Sequence, residues 1–239
     1  MKTEIVTSSF LKKITWLILF SIAMGYLESA VVVYLREIYY PNGFVFPLTP
    51  IDSTLALTEF WREVATLVML LGIGILTGKS SAQRLAFFLL SFAIWDIFYY
   101  VFLYVLLGWP SSLMTWDILF LVPVPWVGPV LTPLIISTLM LLLATFLIYF
   151  NKKLNRLEWS FSILGSIVVI ISWVLDYWNF STKKVANKVW TLSSKQNLFD
   201  TTEQYIPTAF NWPIFIAGVC LISLTIFSFY FRNAKSTNS

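Results

Sequence analysis

The chain has 239 residues, of which 58% are hydrophobic, 18% aromatic and 12% charged, with a mean hydropathy of +0.79. A soluble domain carries roughly 25% charged residues, so this composition leaves too little polar surface to coat a water-soluble globule. The net charge of +4 reports which loops sit on which side of a membrane; the expected partner is the lipid bilayer, and no nucleic-acid partner is expected.

Met1 to Lys13 is a short basic leader with Lys2, Lys12 and Lys13. Residues 14–35 form a first apolar run, too long for the roughly 7–15-residue core of a signal peptide and long enough to span, since a spanning helix needs about 20 residues. Ser21, Gly25 and Ser29 recur four apart, a small-residue face that lets another helix approach closely. Glu28 lies beside that face and should point into protein. Residues 36–57 carry Pro41, Pro47 and Pro50, which exclude a continuous helix.

The second span, 58–77, opens with Glu59, Arg62 and Glu63. Spacings of three and four bring side chains onto one helix face where they can pair. Gly74 and Gly78 offer another close-packing step. The third span is 83–107, the fourth 131–150, the fifth 159–178 and the sixth 212–231, with an external loop over 179–211. The expected fold class is all-α: a single polytopic helical membrane domain, 1–239, with about six transmembrane helices.

Both termini are expected in the cytoplasm. That orientation puts Lys2, Lys12, Lys13, Lys79, Arg84, Lys152, Lys153, Arg156, Arg232 and Lys235 inside, ten of the 16 basic residues, as the positive-inside rule requires. Acidic residues fall the other way. Of 12, only Glu4 and Glu158 lie on the inner side, an asymmetry that insertion does not produce and that an outward-facing polar site would.

At 1.5 Å per residue, Glu28 lies about 21 Å and Asp96 about 20 Å up from the inner ends of their helices. Glu63 lies about 8 Å below the outer end of its own. In a hydrocarbon core about 30 Å thick, the three carboxylates share one layer. Ionisable residues at that depth are costly and mark functional sites by default. Arg62 is the expected partner of Glu63, with Arg36 near the rim, and Tyr99 and Tyr100 are expected donors to Asp96. The candidate binding set is Glu28, Glu63, Asp96, Arg62, Arg36, Asp117 and Tyr100. Its bland alternative is a buried ion-pair network that only locks helices together.

Residues 117–133 carry Pro123, Pro125, Pro129 and Pro133, too broken for a span and too apolar for a free loop. Irregular backbone at membrane depth must be buried in protein or line a cavity. The segment is expected to re-enter the membrane and roof the carboxylate layer, or else to lie at the interface on Trp109, Trp116 and Trp126.

The chain has no histidine and one cysteine, Cys220. Their scarcity excludes His-ligated haem, zinc–histidine sites, Ser-His-Asp triads and Cys-His nucleophiles. Cys220 reads as a small packing residue. There is no P-loop, dinucleotide fingerprint, GxSxG or HExxH, so no cofactor is expected and no metal site is read. Glu59-x-x-Arg62-Glu63 superficially resembles the first motif of intramembrane glutamate proteases, whose site also needs the missing histidines.

The stretches WDIFYY at Trp95 to Tyr100, GWP at Gly108 to Pro110, WDILFL at Trp116 to Leu121 and PVPWVGPVL at Pro123 to Leu131 resemble a set of uncharacterised bacterial multi-pass inner-membrane proteins. Glu63 with Ala65-Thr66-Leu67-Val68-Met69-Leu70 is similar as well. The resemblance covers roughly residues 60–135 and implies a bacterial inner membrane, without implying a chemistry. Three roles remain open. The first is binding or transport of a cation or small polar solute at an outward carboxylate site, helped by a homo-oligomer or partner membrane subunit. The second is a structural or assembly subunit. The third is an enzyme acting on an outer-leaflet lipid with a divalent cation.

Overall fold

The structure is a computed structural model that describes residues 8–49, 51–122, 124–188 and 205–238, the side chains of 183–188 and 236–238 excepted. Among the described residues six helices are long and apolar enough to cross a membrane: α1 (Ser8–Tyr39), α2 (Ser53–Thr77), α3 (Ser81–Leu107), α4 (Leu131–Phe150), α5 (Arg156–Lys188) and α6 (Trp212–Asn238). The fold is all-α and multi-pass. α5 runs past the expected end at 178, through the first part of the stretch read as a loop; residues 189–204 of that stretch lie outside the described residues.

Side-chain distribution is that of a lipid-facing bundle. Leu76 is 84% exposed, Trp16 72% and Val105 71%, whereas Ser21, Ser29, Thr66, Ser91, Thr132 and Thr225 are buried. Without a hydrophobic force between helices in lipid, close approach of small residues and internal polar contacts hold the bundle. The Ser21/Gly25/Ser29 face does this against α3: a Cβ on Gly25 would lie 2.9 Å from the Trp95 carbonyl, and the Ser29 hydroxyl donates to the Tyr99 carbonyl at 3.0 Å. Gly74 makes the same step from α2, where a Cβ would lie 2.9 Å from that of Phe88.

Helix α3 is the centre of one half, packed by α1, α2 and α4; α5 and α6 form a second pair. Gly165 and Gly218 meet where that pair crosses, each so close that an added Cβ would sit 2.9 Å from the other's carbonyl oxygen. At the start of α5, Asn155 and Glu158 cap reciprocally: Asn155 N–H donates to Glu158 at 2.7 Å, and Glu158 N–H to Asn155 at 2.9 Å. Arg232 of α6 then donates to both oxygens of Glu158, at 2.8 and 2.7 Å. Cys220 is exposed, contrary to the packing role expected of it. The buried stripe of α6 runs through Phe215, Gly218, Ile222, Ile226 and Phe229, and position 220 falls off it.

The proline-rich segment is a two-stranded antiparallel hairpin, β1 (Trp116–Phe120) and β2 (Trp126–Pro129), with Asp117 opposite Gly128 and Phe120 opposite Trp126. Prolines bar a helix here, and pairing two short strands satisfies the backbone groups that can still bond. Phe120 packs with Met24, Leu70 and Trp95, and Trp126 stacks on Trp173 of α5 with ring centroids 5.7 Å apart. Trp95 precedes the Leu107 end of α3 by 12 residues, about 18 Å of rise. The hairpin therefore packs between the helices and does not lie across their ends.

Candidate functional site

Helices α1 and α2 both lean on α3 and scarcely touch each other. The space left between them, walled by the hairpin, is a cavity of about 240 Å³. On the same measure a single water needs about 10–15 Å³, so the cavity is sized for an organic solute. All seven candidate residues, Glu28, Arg36, Arg62, Glu63, Asp96, Tyr100 and Asp117, line it, joined by Glu59 and Tyr99. The roof is the α1–α2 connection, through Tyr40, Phe44, Leu48, Thr49 and Ile51. The hairpin, expected as the roof, is a side wall, because its strands run down into the bundle.

Arg62 donates to Glu28 on α1 and, at 2.8 Å, to Glu59 one turn back on its own helix. The expected Arg62–Glu63 pair does not form: consecutive helical residues point to different faces. Glu63 turns instead to the hairpin and accepts the Leu121 N–H at 2.7 Å. It supplies the acceptor that the bent backbone at the hairpin tip lacks. Thr66, one turn below Arg62, adds a long contact to Glu28 at 3.4 Å.

Asp96 accepts from Ser137 of α4 at 2.7 Å, not from Tyr99 or Tyr100 as expected. The Tyr100 hydroxyl donates to Asp117 at 3.2 Å. Asp117 also takes Arg36, Nη2 to Oδ1 at 3.4 Å. Burial, outweighing Arg36 and the Tyr100 hydroxyl, pushes the Asp117 carboxyl up to about 6. The Arg36 guanidinium lies against aromatic rings, 3.8 Å from the centroid of Trp109 and 4.5 Å from that of Phe44.

Sequence reasoning missed Glu59, Phe44 and Trp109 as site residues. Glu59 carried a signal in its i, i+3 spacing to Arg62. Phe44 and Trp109 carried none, since a loop and a helix terminus far apart in sequence bring them to Arg36. The apolar lining includes Val32, Leu35, Trp95, Ile118 and Phe120. The cavity thus combines a greasy wall with five carboxylates and two guanidiniums.

Comparison with family models, with curated proteins and with solved structures finds no match to this chain.

Proposed function

We propose that this protein binds a cation or a small amine-bearing solute in the α1–α2–α3 cavity and passes it across a bacterial inner membrane. The observation that carries the reading is the convergence of Glu28, Glu59, Glu63, Asp96 and Asp117, against only Arg36 and Arg62, on one cavity. The excess of acid, enclosed among apolar walls, favours a positively charged guest. A broken element beside a mid-depth polar site is also the pattern of secondary transporters.

Orientation follows from charge. Lys12, Lys13, Lys79, Arg84, Lys152, Lys153, Arg156, Arg232 and Lys235 lie at the ends of helices away from the hairpin, which supports cytoplasmic termini and a cavity in the outer half of the bundle. Residues 60–135, by their resemblance to bacterial inner-membrane proteins, support that location. Six spans make a small transporter, so a homo-oligomer or partner membrane subunit belongs to the proposal.

Among the described residues no group of three or more Asp, Glu, His or Cys side chains converges as metal ligands. The apolar lining of Val32, Leu35, Trp95, Ile118 and Phe120 favours an organic cation. A second reading has one observation in its favour: Arg62 already ties α1 to α2 through Glu28 and Glu59, as a purely structural triad would. Proteoliposome uptake separates the two. A panel running from sodium to choline and tetramethylammonium should contain at least one cation taken up by the wild type and not by Glu63→Gln. Absence of flux for the whole panel would favour the structural reading.

A further inference from the structure

The cavity also holds donors that a cationic guest cannot use. The Arg36 side chain is only 9% exposed. Its Nη2 reaches Asp117 Oδ1 at 3.4 Å, long beside the 2.7–2.9 Å or so of a charge-assisted bond. The other oxygen of Asp117 accepts from Tyr100, and one long contact is what joins the carboxylate to Arg36. Arg36 Nη1 is buried with no acceptor among the described residues, and so is Nε1 of Trp95, a second residue of the same cavity wall.

A buried guanidinium N–H left unpaired is costly. Trp109 and Phe44 rings lie against the guanidinium, so bonds must be made at its edge. Such an edge is a planar donor fork matched to the oxygens of a carboxylate or phosphate. Resting on the cation-binding reading above, we infer that the Arg36 end of the cavity is an oxyanion subsite, and that the solute is a zwitterion whose acidic group docks on Arg36 while its amine meets the carboxylates below. Arg36 and Glu28 are eight residues apart on α1, about 12 Å of rise. The two charges of the guest are therefore spread along an elongated, partly apolar molecule.

The test is thermal unfolding of the full chain in a neutral maltoside detergent, titrated with decyl phosphate, decanoate, inorganic phosphate and decylamine. Three variants run beside the wild type: Arg36→Gln; Arg36→Gln with Asp117→Asn, which removes both partners and leaves no unpaired buried charge; and Glu28→Gln with Glu63→Gln. Decyl phosphate or decanoate should stabilise the wild type, with apparent affinity at least tenfold weaker in both Arg36 variants, while Arg36→Gln keeps its response to decylamine. A matching response to inorganic phosphate would support a soluble organic acid as the source, and a response confined to the tailed anions would support a lipid headgroup. Anion responses unchanged by loss of Arg36, or absent while decylamine still acts, would overturn the oxyanion subsite alone. No decylamine response, or an equal one in Glu28→Gln with Glu63→Gln, would overturn the cation reading on which it rests.

Discussion

Arg62→Met is the most informative single change to the bundle. The guanidinium bridges Glu28 of α1 and Glu59 of α2, with side-chain exposures of 21% for Arg62, 13% for Glu28 and 9% for Glu59. Breaking a buried pair by removing one partner costs about 3–5 kcal/mol, because the other charge is left stranded; here two carboxylates are stranded at once. At about 2–4 °C of Tm per kcal/mol for a chain of this size class, the expected loss is roughly 6–20 °C. The assay is thermal unfolding in detergent of the wild type, Arg62→Met, and the neutral set Glu28→Gln, Glu59→Gln, Arg62→Met. The neutral set should regain most of the loss, since a buried ion network replaced as a whole by uncharged groups is often close to neutral. A shift below about 2 °C for Arg62→Met, the size expected of an exposed pair, would refute the reasoning. It would mean that water screens the triad.

Gly218→Val should destabilise by about 1–3 kcal/mol through overpacking, because its Cβ meets Val169 at 2.7 Å and the Gly165 carbonyl at 2.9 Å. Gly72→Ala, with nothing within 4 Å of the added Cβ, should be neutral or stabilising in the same thermal scan. Glu63→Ala strands the Leu121 N–H, and hydrogen exchange across 116–126 should accelerate; Glu63→Gln, which keeps an acceptor oxygen, should leave it slow. The Asp117 carboxyl is raised from 3.8 to about 6, so its contribution to stability is present below about pH 4 and lost as pH rises through 6. Relative to Asp117→Asn, the wild type should lose stability between pH 4 and 7, read as diverging unfolding midpoints; parallel midpoints would contradict the burial of Asp117.

The spans were legible because lipid imposes one rule on every residue of a helix, and the starts of α4 and α6 at Leu131 and Trp212 follow from Pro133 and Pro213 just inside each first turn. Small residues at Ser21, Gly25, Ser29 and Gly74 were legible as contact faces for the same reason. Rise per residue was enough to bring Glu28, Glu63 and Asp96 to one cavity. Their partners were not legible. Arg62 turns to Glu28, Glu63 to the hairpin and Asp96 to Ser137, and those choices depend on helix rotation, which rise alone does not determine. The hairpin was hidden because its strands are four and five residues long and interrupted by proline. Short apolar runs of this kind carry no period. The pairing of Arg36 with Asp117 joins residues 81 apart, and no local pattern signals it.

The central claim is that the carboxylates of the cavity bind a positively charged guest. Isothermal titration of decylamine into the detergent-solubilised chain tests it most directly, with the triple variant Glu28→Gln, Glu63→Gln, Asp96→Asn as comparison. Saturable binding to the wild type, weakened at least tenfold in the triple variant, about 1.4 kcal/mol or more, is the predicted result. Equal binding to both proteins, or no saturable binding to the wild type, would contradict it.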